Sequence, residues 1–135
     1  LAIFGPMVSP YDPVTQDLSN RLESPSLSHP LGTDQLGRDV LTRLLHGARL
    51  SLGIAVAVTS VRLVVGTAVG LVAGYAGGWV DEALMRLVDT LLAFPGIVLA
   101  LVIAGILGPS LVNVMLALAV VGWASYARLV RSKVL

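Results

Sequence analysis

Charged residues divide this chain into one polar stretch followed by three long apolar ones. Residues 9–49 hold four Arg, five Asp or Glu, four Pro and both His, a density that a membrane-crossing helix does not tolerate. Residues 50–80 contain a single charge, Arg62, while residues 90–107 and 108–127 contain none. A helix needs roughly 20 apolar residues to cross about 30 Å of hydrocarbon. The pattern therefore predicts spans near 50–75, 87–107 and 111–130. Residues 1–8 read as the end of an earlier span whose start is missing, because they lack the basic n-region and cleavage site of a secretory signal. The apolar runs show no period-2 alternation, which argues against a β-barrel.

The connections carry ordinary turn signals. Gly74, Gly77 and Gly78 are placed to end the first full span, with Tyr75 and Trp79 at headgroup level. Gly108-Pro109-Ser110 predicts a tight turn before the last span. Pro95 falls inside the second span and is expected to kink it, since its ring removes an intrahelical hydrogen bond. Arg128, Arg131 and Lys133 gather at the end of the last span, and positive-inside reasoning puts that end in the cytoplasm. Working backwards, the 76–86 connection is inside and the 9–49 segment outside.

Composition supports the membrane reading. The 135 residues are 56% hydrophobic and 13% charged, with a mean hydropathy of +0.87. A soluble domain runs near a quarter charged. The net charge of +1 gives no reason to expect a nucleic-acid partner, and the absence of cysteine removes disulfide and thiol chemistry. The lipid bilayer is the one partner that composition itself names.

Four features carry candidate chemistry. First, the segment His29-Pro30-Leu31-Gly32-Thr33-Asp34-Gln35-Leu36-Gly37-Arg38-Asp39-Val40-Leu41 is the most distinctive piece of the chain. Thr33 or Asp34 is placed to cap a turn, and Gly37 permits backbone angles other residues avoid. Asp39 and Arg43 stand at helical i,i+4 spacing, acid first. Val40, Leu41, Leu44, Leu45 and Ala48 form one apolar face, which predicts a surface helix over 39–49 leading into the next span. The elbow motif of Gly32, Thr33, Asp34, Gly37, Arg38 and Asp39 is thus either a packed, capped corner or a direct participant in receiving a solute. His29, Asp34, Asp39 and His46 have metal-ligand side chains without metal-ligand spacing, so no metal site is assigned.

Second, Gly66, Gly70 and Gly74 form a small-xxx-small stripe, a helix-packing face directed at this subunit or at a partner. Third, Arg62 sits about midway along a span, where a lone Arg costs roughly 2.5–3.5 kcal/mol by insertion scales. It lies near the glycine stripe, so it faces protein or a wet cavity rather than lipid. Arg62 and Asp89 are the candidate pathway-facing residues, the alternatives for Arg62 being snorkelling to the interface or a contact with a partner subunit. They are poor partners for each other, since Arg62 lies roughly 20 Å from the inner end and Asp89 only a few ångströms in. Fourth, no phosphate-binding glycine loop, nucleophile–base set or His-Glu-x-x-His run is present. No enzymatic activity, catalytic residue or cofactor is expected.

Taken together, these residues resemble a known family. The elbow HPLGTDQLGRDVLTRLLHGARLSLG and the run from GYAGGW to VRSKVL are similar to the dipeptide/oligopeptide/nickel permeases of ABC importers, specifically the second of their two permease subunits. The combination of LGTDQLGRD, AFP and GWASYARLVR is specific, and SPYDP at 9–13 fits as well. The resemblance implies an all-α, polytopic membrane bundle, a fragment of a six-span type I importer domain, in the bacterial inner membrane. Its parts would be the end of the first span at 1–8, an extracytoplasmic elbow at 9–49, and a partial type-1 transmembrane domain at 50–135. The partners implied are a homologous second permease, two cytoplasmic ATPase subunits and an extracytoplasmic solute-binding protein. The coupling segment with its Glu-Ala-Ala and Gly would follow Leu135, and Arg62 stands where the family pattern would be aliphatic. The alternatives on sequence alone are a secondary transporter or channel subunit not driven by ATP, or a membrane-anchored enzyme.

Overall fold

The computed structural model describes residues 3–134. Its elements are helical: α1 (Gly5–Val8), a 3-10 turn (Leu18–Asn20), α2 (Val40–Ala76), α3 (Gly78–Ala93), α4 (Gly96–Leu107) and α5 (Leu111–Val134). The chain divides into two compact units, Leu1–Ile54 and Ala55–Leu135.

In the first unit the polar residues become a hydrogen-bonded elbow. An isolated antiparallel bridge between Thr33 and Asp39 pinches the loop, and Val40 N–H donates to Gly32 O at 3.1 Å to start α2. The expected surface helix over 39–49 is not a separate element. Residues 40–76 form one helix, about 55 Å long at 1.5 Å per residue. No proline or helix-terminating glycine interrupts the stretch, so nothing divides the amphipathic turns from the apolar ones. Of residues 1–8, those from 5 to 8 are helical, and the first two lie outside the described residues.

The second unit is organised by α5. Ala117, Ala119, Val121, Ala124 and Ala127 are all buried, mostly small side chains that let three other helices approach closely. Against α5, α2 brings its glycine stripe. A Cβ on Gly66 would stand 2.7 Å from Trp123 O and 2.5 Å from Tyr126 Cβ. One on Gly70 would stand 2.5 Å from Ala127 O, and one on Gly74 would stand 2.8 Å from Val134 Cβ. The stripe therefore packs within the chain. Gly74 lies inside α2 and does not end it; Gly77, with φ of +59°, does. Helix α3 then begins at once, so the expected inner connection over 76–86 is mostly helix.

Val88 of α3 is fully buried with Ala124 and Ala127, flanked by Val69, Met85, Leu91 and Trp123. Two ion pairs fix α3 along α5. Arg131 grips Asp81 through both Nε and Nη2 at 2.5 Å, and Arg128 pairs with Asp89.

Pro95 does more than kink the second span. Phe94 is extended, as a residue before proline tends to be, and α3 and α4 meet at 89°. Helix α4 alone is 12 residues, about 18 Å, too short to cross hydrocarbon. Among the described residues two helices, α2 and α5, are long and apolar enough to cross, and the bent α3–α4 pair makes up to three. Helix α4 returns along α5 through Ala100, Ala117 and Val121. Its last carbonyls are capped by Asn113, whose Nδ2 donates to Leu107 O at 2.7 Å and Gly108 O at 3.1 Å. Only 11% of the most apolar window of α2 and 28% of that of α5 are buried within the chain. The remaining apolar surface therefore suits lipid or neighbouring subunits.

The glycine stripe yields a paired test. Gly66→Ala places its methyl against a backbone carbonyl that has no room to yield, and should destabilise the protein by about 1–3 kcal/mol. Gly53→Ala, with nothing within 4 Å of its Cβ, should instead stabilise it by about 0.5–1 kcal/mol through helix propensity. Denaturation in mixed detergent micelles measures both.

Candidate functional site

Arg62 is the one charged group on the wall of a cavity of about 390 Å³ in the second unit. The cavity flanks the break between α3 and α4, where Leu92, Phe94 and Ile97 meet Val121 and Ser125 of α5. The guanidinium reaches α5 and donates to a single acceptor, Leu118 O, from Nε at 2.9 Å and Nη2 at 2.6 Å. That carbonyl lies in an α-helix, where the N–H four residues on, at Gly122, already has a claim on it. The reach depends on Gly122, because a Cβ there would collide with Nε. No carboxylate lies within salt-bridge distance of Arg62 among the described residues. It is a cation in an apolar segment, anchored to α5 and without a neutralising carboxylate among the described residues.

Asp89, the other candidate pathway residue, is not on this wall. It is exposed and paired with Arg128. Sequence reasoning missed Leu118, Gly122, Ser125 and the Asp81–Arg131 and Asp89–Arg128 partnerships. Gly122 did carry a signal, since an isolated glycine in an apolar helical run marks close approach. The ion pairs did not, because their separations of 50 and 39 residues have no local periodicity.

In the elbow every residue of the motif has an assigned task. Asp34 Oδ1 accepts the N–H groups of Leu36 (2.8 Å) and Arg38 (3.0 Å), while Oδ2 accepts Arg38 Nε (2.9 Å) and Arg43 Nη1 (2.5 Å). Arg43 thus pairs with Asp34, and the expected Asp39–Arg43 pair does not form. Asp39 is occupied as the N-cap of α2: its Oδ2 accepts Thr42 N–H at 2.8 Å and Thr42 Oγ1 at 2.7 Å, and its Oδ1 meets His29 Nδ1 at 3.0 Å. Thr33 Oγ1 donates to Asn20 O and accepts Glu23 N–H. Gly32 and Gly37 have φ of +72° and +70°, and a Cβ on either would collide with the backbone carbonyl of Glu23 or Asp17. His46 Nδ1 bonds Thr42 O at 2.9 Å, one turn back on its own helix.

Desolvation raises the Asp34 carboxyl. The backbone N–H groups of Arg38 and Leu36 and the two guanidinium groups outweigh it and hold the carboxyl well below the usual carboxylate range. Asp39 is likewise lowered: desolvation opposes, and Thr42 and His29 prevail. The elbow also encloses a cavity of about 370 Å³, but its lining is mainly apolar and its one carboxylate, Asp39, is already committed.

A family model described as the binding-protein-dependent transport system inner membrane component matches residues 66–135. This chain belongs to that family. Among curated relatives, the dipeptide transport system permease protein DppC of Alkalihalophilus pseudofirmus is 47% identical over the whole chain and 44% of its own length. The nickel transport system permease protein NikC of Escherichia coli K12 is 47% identical over 93% of this chain and 46% of its own. The glutathione transport system permease protein GsiD of Pectobacterium atrosepticum is 42% identical over all of this chain and 45% of its own. The chain spans about half the length of the curated relatives it matches. As an inner membrane component, it has the apolar helices that such a location requires. The family match covers the glycine stripe and the α5 wall of the cavity, and the alignment with DppC of Alkalihalophilus pseudofirmus extends over the elbow as well.

Two outcomes test the elbow. Asp39→Ala removes the N-cap of α2 and should cost about 1–2 kcal/mol, read as faster proteolysis at Arg21 and Arg38. The carboxyl of Asp34 is depressed on folding, so its contribution is complete above about pH 4 and is lost as pH falls further. The share of the elbow's protection that Asp34 supplies, read as the difference in proteolysis rate from Asp34→Asn, should therefore be equal at pH 7 and pH 5 and decline only in stronger acid.

Proposed function

We propose that this chain supplies part of the permease lining half of the translocation pathway in an ATP-driven importer of peptides, nickel or a related small solute. The observation that carries the reading is 42–47% identity, across 93–100% of the chain, to proteins named as dipeptide, nickel and glutathione transport permeases. The partners are a homologous permease, two cytoplasmic ATPase subunits that supply the hydrolysis, and an extracytoplasmic solute-binding protein. The basic end of α5 lies on the cytoplasmic side and the elbow at 9–49 on the outer side, where a binding protein docks. Residues 50–135 are part of the type-1 transmembrane domain, and residues 1–8 end the preceding span. ATP-driven closure of the ATPases switches the permease pair between outward and inward access. Arg62 faces the pathway, and the exposed apolar faces of α2 and α5 meet lipid or the second permease.

The test uses the whole complex, purified through a tag on the full-length protein and reconstituted in vesicles with its binding protein. Labelled dipeptide, oligopeptide, glutathione and Ni²⁺ are offered in turn. Uptake of at least one should require ATP and persist when ion gradients are dissipated. Uptake that ignores ATP and collapses with the gradient would instead make the chain part of a secondary transporter.

A further inference from the structure

The cavity beside Arg62 holds a charge that no carboxylate among the described residues balances. Of the guanidinium's five N–H donors, those on Nε and one on Nη2 are directed to Leu118 O. The Nη1 edge has no protein partner among the described residues. A cation left unneutralised in a span is costly, and a simple anchoring role would be met by a neutral donor. The other wall residues exclude competing interactions: Leu92, Phe94, Ile97 and Val121 are apolar, and Ser125 adds one hydroxyl. The three carboxylates of nearby α3, Asp81, Glu82 and Asp89, are already paired with Arg131, Arg86 and Arg128. A space of about 390 Å³ admits a small polar group together with part of its skeleton.

We propose that Arg62 and Ser125 form a subsite in the pathway for the carboxylate of a passing solute. This inference rests on the permease reading above. The planar guanidinium offers its free edge to a carboxylate, while Leu118 O fixes its orientation. Gly122 is then a positioning residue, since a Cβ there would collide with the Arg62 side chain lying against α5. A solute with a free carboxyl gains a counter-ion at this point, and its amide gains none.

The test measures charge at the site without requiring transport. The chain contains no cysteine, so Ser125→Cys supplies one reporter thiol in the full-length complex with any other cysteines removed. Its reaction rates with a sulfonate-bearing and a trimethylammonium-bearing methanethiosulfonate are compared. With Arg62 present the anionic reagent should be favoured by roughly tenfold or more over its ratio for a free thiol in solution. Arg62→Gln should abolish that preference, and Arg62→Lys should keep most of it. A dipeptide with a free carboxyl should slow the labelling, and its C-terminal amide should not. The proposal is overturned if the rate ratio does not depend on Arg62, as when a partner subunit neutralises it. It is equally overturned if the reporter thiol never reacts, or if acid and amide protect alike. Failure of the importer reading would appear separately, as uptake without ATP dependence.

Discussion

Inside lipid, apolar side chains gain nothing by leaving their surroundings, so helices must be held together by close backbone approach. The meeting of α2 with α5 is where this chain satisfies that constraint. Three glycines, spaced four apart, bring α2 onto carbonyls and β-carbons between Trp123 and Val134. Once α5 is fixed by that contact, its buried alanines receive Val88 from α3 and Ala100 from α4. The approach also sets the reach of Arg62. At a wider separation its guanidinium would fall short of Leu118 O, and the clearance at Gly122 would have no purpose.

The two units are stabilised by different balances of the same forces. The elbow has little apolar material to bury and depends on satisfied polar groups, with Asp34 alone accepting four hydrogen bonds. Its glycines are there for backbone angle, whereas those of α2 are there for closeness. In the second unit the helices meet over small-residue faces, and the Asp81–Arg131 and Asp89–Arg128 pairs add charged contacts between α3 and α5.

Much of this was legible in the sequence, and the failures have physical causes. Charge spacing located the apolar segments because desolvating an ion is too expensive to leave to context. The glycine stripe announced a helix contact, though not its partner, which only tertiary packing decides. Pro95 marked the broken span, but the 89° angle comes from Phe94 turning extended and from α4 folding back onto Ala117 and Val121. The helical i,i+4 rule suggested Asp39 with Arg43. It failed because Asp39 precedes the helix as its cap, leaving Arg43 to Asp34. The surface helix over 39–49 merged with α2 because amphipathic and apolar turns share one backbone geometry. Arg62 stood out at once, yet its acceptor is a backbone carbonyl, and every residue has one of those.

The most direct measurement is a cross-link across the α2–α5 contact. Cysteines replacing Gly70 and Val130, whose β-carbons would lie 2.8 Å apart, need a separation of only about 1 Å more to reach disulfide geometry. In the full-length protein, in membranes and free of other cysteines, mild oxidation should close this bond within one chain and leave both thiols resistant to alkylation. If both thiols stay reactive under those conditions, the helices do not meet at the glycine stripe, and the arrangement built on it is wrong.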